Sequence, residues 1–423
     1  MELEVIDLEK EKNLKYIKGT GITELDIFAD RISLERNKTL EYYKDILYQC
    51  GKCGTCRTGF QEEGWYRVCP SGEYGKFEAY YLGGKNLLSW AVSSDRLNWT
   101  ENLSRIFYQC SLCLACTQQC QIPEIHHYAG EWLMAMREEA VQKGLGPMPE
   151  QRQYSEHISL EYNPYIGKHK DRKNWLTSNI KQNQNAKLAY FVGCTTSYRE
   201  QDIAKATAEI LNLIQIDFKI LKDERCCGSP VYMTGQANQA KKIAENNIEI
   251  FKKEGIEKII TSCAGCYRTL KDTYPNKFGL DHGIEVLHLP EFLLEKLNNN
   301  KLEFKNNLEM KITYHDPCHI GRHMGIYEPP RDVLKNIPGI ELIEMPRNRH
   351  NAWCCGSGGG VRSAFKDLSS FAANERIKEA KETTADALIS CCPFCLNQFK
   401  ANIKNNEIKT YDLSELVHKA IKS

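Results

Sequence analysis

The sequence predicts a mixed α/β protein: a small helical module wrapped around metal, followed by two copies of one α/β domain. Three observations predict it. Eight cysteines crowd into residues 46–130 with little β-branched periodicity. The second half of the chain repeats itself. Within each repeat, short apolar runs alternate with helical patterns, as in parallel α/β sheets.

At 423 residues the chain exceeds one hydrophobic core, so several domains are expected. With 56 basic and 55 acidic residues, the net charge of +1 gives no reason to expect nucleic acid as a partner. The 19 cysteines are the outlier. Secreted disulfide-rich proteins are short, start with a signal peptide and favour even counts. This chain is long, its count is odd, and Met1 to Lys10 alternates charged with apolar residues and has no apolar core. No stretch approaches about 18 uninterrupted apolar residues, so no membrane span of its own is expected. The expected setting is reduced and cytoplasmic, with peripheral membrane attachment through a partner as the further option.

Residues 1–45 form an N-terminal arm of mixed charge without cysteine, and residues 46–130 the metal-wrapped module. Residues 131–185 are a helical connector: a helical pattern over Trp132 to Ala140, then a stretch rich in Pro, Asn, Lys and Gln. The duplicated domains span 186–300 and 308–423. Lys187–Cys194 corresponds to Lys311–Cys318, Cys226-Cys227-Gly228 to Cys354-Cys355-Gly356, and Ile259–Cys266 to Leu388–Cys395. The tails His288–Leu293 and Asp412–Val417 also correspond. The apolar runs Leu188–Val192, Ile259–Thr261, Ile312–Tyr314 and Leu388–Ser390 are expected to be buried parallel strands. Ala240, Ile243, Ala244, Ile248 and Phe251 mark one helical face, and Leu368, Phe371, Ala372, Ile377 and Ala380 partly repeat it. Ligands in such sheets collect at the carboxyl ends of strands, which is where Cys194, Cys263, Cys318 and Cys392 fall.

The first eight cysteines have ferredoxin spacing. Cys50, Cys53 and Cys56 form one triplet, and Cys110, Cys113 and Cys116 another; Cys69 and Cys120 stand apart. Three thiolates two residues apart on a curling loop each reach a different iron of one cubane, and the fourth comes from elsewhere in the chain. Cubane [4Fe–4S] clusters are therefore assigned to Cys50, Cys53, Cys56 and Cys120, and to Cys69, Cys110, Cys113 and Cys116. Pro70 follows Cys69 as in the usual motif, whereas the proline after Cys120 is displaced to Pro123. Structural zinc favours isolated Cys-x2-Cys pairs farther apart, which this pattern does not match.

Each repeat adds five cysteines: Cys194, Cys226, Cys227, Cys263 and Cys266, then Cys318, Cys354, Cys355, Cys392 and Cys395. Five thiolates exceed what a zinc tetrahedron or an ordinary cubane needs, which points to a bridging thiolate and an unusual cluster. Gly228, Gly356 and Gly358 let backbone amides approach that cofactor. The Gly356–Gly360 loop lacks the Lys-Ser/Thr of a phosphate loop.

The duplicated Cys-Cys-Gly pattern resembles that of heterodisulfide reductases. The double ferredoxin-type module fused to two such domains resembles their single-chain catalytic subunit, the D subunit. Matching segments are Tyr314–Arg322, Tyr327–Arg331, Ile337–Gly339 and Cys354–Val361, within a likeness covering residues 46–423. The resemblance implies a noncubane [4Fe–4S] cluster in each five-cysteine set, hence four clusters in all, two cubane and two noncubane. It further implies that a small-molecule disulfide is split between the noncubane clusters, each taking one sulfur. The ten cysteines of the duplicated sets would carry that chemistry, with the cubanes as the wire from an electron-donating partner.

The same architecture occurs by resemblance in iron–sulfur subunits of flavin-dependent glycolate and lactate oxidases and of anaerobic reductases, where it only relays electrons. The chain lacks a flavin motif of its own. A flavoprotein, a hydrogenase-type subunit or a membrane cytochrome is therefore the expected redox partner in either case. Cys391 is expected to be a small core residue. His315, His319 and His323 flank Cys318 and are expected to be hydrogen-bonded structural residues, although a histidine there could protonate a leaving thiolate. His126 and His127 are expected at the surface or at a helix entry, and Trp132, Leu133, Met134 and Met136 in helix packing.

Overall fold

In the computed structural model the described residues are 38–61 and 64–421, together with the antiparallel strands β1 (Leu14–Tyr16) and β2 (Thr23–Leu25). The expected N-terminal arm thus lies largely outside the described residues. Helices Lys44–Tyr48, Leu82–Ser93, Glu101–Tyr108 and Pro123–Gln142 surround the first eight cysteines. A short hairpin adds to the mainly helical module expected for this part: β3 (Thr58–Gln61) pairs antiparallel with β4 (Gly64–Arg67) just after Cys56. Glycines within so short a pair hide its alternation in the sequence. The connector holds a further helix, Pro149–Glu161. Trp132, Leu133, Met134 and Met136 are buried, as their spacing on the preceding helix requires.

The duplication folds as two parallel sheets. The first, in the order β5 (Leu188–Tyr190), β6 (Lys258–Thr261) and β7 (Glu285–His288), is parallel throughout. The second contains β8 (Met310–Tyr314), β9 (Ile340–Leu342), β10 (Ala387–Ser390) and β11 (Lys409–Asp412), in the order β11-β10-β8-β9, again all parallel. The four apolar runs are β5, β6, β8 and β10, and Ala387–Ser390 is buried at every position. The strands β7, β9 and β11 lie at sheet edges and are partly exposed, which is why polar residues interrupt their apolar pattern.

The matching tails are matching strand-to-helix corners. The Glu291 side chain accepts from the His288 backbone N–H at 3.0 Å, and Glu415 from that of Asp412 at 2.7 Å. Each pairing satisfies an otherwise orphaned donor at the start of helices Leu289–Asn298 and Leu413–Ile421. The two lobes pack directly. Helix Gln201–Leu213 lies on helix Leu413–Ile421. Buried Glu200 accepts from Asn397 at 2.6 Å and from Lys400 at 2.7 Å. Among the described residues no helix is long and apolar enough to cross a membrane.

Candidate metal centres

The two triplets ride on loops of one backbone shape. Lys52 and Gly54 flank Cys53 with φ of 55° and 81°; Leu112 and Leu114 flank Cys113 with φ of 52° and 59°. Left-handed backbone on either side of the middle cysteine curls each loop. At the three non-glycine positions it costs roughly 1–2 kcal/mol per residue. Cys53 is exposed and Cys113 is buried. Cys69 caps helix Pro70–Gly75, its sulfur accepting from the Gly72 N–H at 3.4 Å.

Cys120 lies close enough to Cys50 and Cys53, and Cys116 to Cys69, Cys110 and Cys113, for their thiolates to repel. Cys56 also feels Cys69, so the two groups adjoin. Burial first, then this crowding, pushes Cys56 up to about 12.

In the lobes, Cys194 opens the helix after β5, and Cys263 follows β6 with Cys266 one helical turn on. Cys318 follows β8, and Cys392 caps the helix after β10 with Cys395 in its first turn. The adjacent pairs come from loops, and Gly228 and Gly356 donate to Cys226 and Cys354 sulfur at 3.4 and 3.3 Å. Gly356 has φ of 84°, and a Cβ there would lie 2.6 Å from the Ser369 carbonyl oxygen, so only glycine fits.

The thiols touch in the same order in both lobes. In the first the chain of contacts runs Cys194, Cys226, Cys227, Cys266, Cys263. In the second it runs Cys318, Cys354, Cys355, Cys395, Cys392, with Cys355 and Cys395 sulfurs 3.2 Å apart.

Two contacts link the groups. Cys263 meets Cys392 across the lobe interface, and Cys113 of the second triplet meets Cys354. A cleft of about 420 Å³ lies between the lobes, lined by nine of the ten cysteines; Cys354 is turned toward Cys113 instead. Among the described residues, Arg199 and Arg362 are the cationic side chains on its wall, and no carboxylate lines it. Gly358 lines it too, its backbone packed on the Ser111 carbonyl.

Soft anionic donors packed this tightly without a cation repel one another, and burial makes each thiolate costlier still. The donor set therefore fits thiophilic iron, and the backbone N–H groups aimed at sulfur suit an anionic cluster.

Side chains that the spacing did not flag complete the setting. Arg172, from the connector, donates to Cys194 sulfur at 3.5 Å and forms a buried ion pair with Glu224 at 2.6 Å. Glu224 in turn accepts from the Val192 and Gly193 amides at 2.7 and 2.9 Å. No local motif surrounds Arg172, so nothing short of the fold reveals it.

His315 lies with Cys355 and Cys395 in a buried cluster, held by Arg376 at 3.1 Å. His323 hydrogen-bonds the Leu112 carbonyl at 2.9 Å. His319 departs from the structural expectation. Its Nε2 is buried with no hydrogen-bond partner among the described residues, it lines the cleft, and burial pushes its pKa down to about 3. His126 and His127 sit in the first turns of helix Pro123–Gln142. Cys391 is buried against the Tyr314 hydroxyl at 2.7 Å, a core position as expected.

The cysteine-rich (CCG) domain family matches residues 188–271 and 312–400. The D subunit of a heterodisulfide reductase from Methanosarcina barkeri is 34% identical over 89% of this chain and 94% of its own length. That of Methanosarcina acetivorans is 40% identical over 68% of this chain and 70% of its own. The chain belongs to the family of heterodisulfide reductase D subunits. As a member of that family it is an iron–sulfur oxidoreductase subunit and carries iron–sulfur clusters. A hypothetical protein from Helicobacter pylori shares the fold with a TM-score of 0.55 and 12% identity, covering 81% of this chain and 68% of its own. The two Methanosarcina relatives are named as parts of a larger reductase, the dihydromethanophenazine:CoB–CoM enzyme.

Proposed function

We propose that this chain splits or forms a small-molecule disulfide in the cleft between its lobes, with electrons passing through two cubane clusters. Cys50, Cys53, Cys56 and Cys120 hold one cubane in a ferredoxin-type module, and Cys69, Cys110, Cys113 and Cys116 the other. Each five-cysteine set holds a noncubane [4Fe–4S] cluster. When bound, the clusters supply electrons one at a time. Reducing the disulfide takes two electrons and two protons and yields two thiols.

The observation that carries this reading is the placement of nine of the ten thiols, drawn from both sets, on one cleft, with Cys263 touching Cys392. A disulfide seated there has one sulfur beside each set. The largely apolar wall excludes water, and Arg199 and Arg362, without acidic neighbours on that wall, bind anionic groups of the substrate. A flavoprotein, hydrogenase-type subunit or membrane cytochrome is the electron-exchange partner, meeting the chain near exposed Cys53.

Anaerobic protein titrated with short alkanethiols, with and without acidic tails, tests this by EPR. About sixteen irons, four per cluster, and a thiol-induced change of signal are expected. Full iron with signals indifferent to thiols would leave only electron relay.

A further inference from the structure

Among the described residues four arginines are buried: Arg137, Arg172, Arg331 and Arg376. Three have acid partners. Arg172 pairs with Glu224, Arg331 with Asp316 and Arg376 with Glu379, each at 2.6 Å. Arg137 is the exception. It is 0% exposed, yet among the described residues it meets no carboxylate. Its guanidinium donates only to carbonyls: Phe107 at 2.8 Å, Met233 at 2.6 Å, Gly359 at 2.8 Å, and Cys110.

Half-buried Arg322 repeats the pattern from the other side. It donates to the Cys113 carbonyl at 2.6 Å, to Ala352 at 2.7 Å and to His350 at 3.2 Å. Its nearest anionic neighbours are Cys113, Cys318 and Cys354, not an Asp or Glu.

A buried cation costs several kcal/mol unless a countercharge stands near. Carbonyl dipoles satisfy the N–H groups but leave the net charge uncompensated. Both guanidinium groups clasp one loop, at the backbone of Cys110 and Cys113. A [4Fe–4S] cluster on four thiolates is a net anion, and taking up one electron without a proton makes it more negative by one charge.

Resting on the assignment of a cubane to Cys69, Cys110, Cys113 and Cys116, we propose that buried Arg137 and half-buried Arg322 are that cluster's counterions. As positioning residues acting through the loop backbone, they raise its affinity for an electron. The second cubane is thereby the downhill step on the way to the lobes. Arg137 also ties Met233 of the first lobe and Gly359 of the second to the same loop, so the charge that tunes the cluster also fixes its distance from both lobes.

EPR-monitored redox titration of the anaerobic full-length protein, with iron analysis, decides this. Arg322→Gln is expected to lower the electron affinity of that cubane about tenfold, a fall of about 59 mV for a one-electron couple, with a smaller fall at the second lobe's cluster, whose Cys318 and Cys354 also face Arg322, and the other two signals unmoved. Arg322→Lys and Arg137→Lys keep the charge and are expected to keep the midpoint near wild type. Arg137→Met tests the deeper site, and if it does not fold the Arg322 pair decides. An unmoved midpoint in Arg322→Gln with full iron overturns the proposal. So does an equal fall in Arg322→Lys and Arg322→Gln, which marks a merely structural role. Wild-type protein with too little iron for a second cubane overturns the cluster assignment itself, and the proposal with it.

Discussion

The thiol of Cys113 meets the thiol of Cys354, joining the second triplet loop to the cysteine pair of the second lobe and not of the first. The first lobe joins this path through Cys263 and Cys392. The docking is asymmetric in its hydrogen bonds too, since Arg322 and His323 of the second lobe bond the loop of the second triplet, and Asn351 accepts from Gln119 beside Cys120. With a cluster on each group, as proposed, two paramagnetic centres this close broaden each other's EPR signals. Cys354→Ala is expected to abolish that broadening and to lower iron by about four per chain. Cys194→Ala is expected to lose similar iron while the broadening stays.

Arg199 and Arg362 are the charges on the cleft wall, and one Nη of Arg362 is buried with no acceptor among the described residues. A charge-assisted hydrogen bond contributes about 1.5–3 kcal/mol. Arg362→Ala is expected to weaken binding of an acid-tailed alkanethiol by about ten- to a hundredfold, and that of a neutral alkanethiol little. Thiol titration of the EPR signal measures both.

Arg172 and Glu224 are buried partners in the first lobe. Removing one member of such a pair strands the other's charge, at about 3–5 kcal/mol. Arg172→Met is expected to lower the melting temperature markedly and to perturb the first lobe's cluster signal, because Arg172 also touches Cys194. Arg172→Met with Glu224→Gln is expected to recover part of the melting temperature but not the signal. Thermal unfolding under nitrogen, read beside EPR, separates the two effects.

Burial alone raises the Glu138 carboxyl from 4.5 to about 7. Between those values the folded protein holds a proton that the unfolded chain has released. Stability therefore falls as pH rises through that window, and the penalty is complete above it. Glu138→Gln is expected to exceed wild type by about 1 kcal/mol at pH 8, the full linkage being reduced for partial exposure. At pH 4 the two are expected to match, as denaturant titrations at both pH values would show.

Much of this protein could be read in one dimension. Cysteine spacing is local, so both triplets, both Cys-Cys-Gly pairs and the strand-end positions of Cys194, Cys263, Cys318 and Cys392 follow from it. Buried parallel strands leave unbroken apolar runs, which is why β5, β6, β8 and β10 were legible and the partly exposed edge strands β7, β9 and β11 were not. What only the tertiary structure decided is how the cysteine sets face one another. Contacts such as Cys113 to Cys354 and Cys263 to Cys392 join residues far apart in sequence. The arginines Arg137, Arg172 and Arg362 likewise carry no motif, and Arg322, which ends the matching segment Tyr314–Arg322, shows its partners only in the fold. A charge acts through space, on whatever the fold brings beside it, and spacing along the chain records only what is near in sequence.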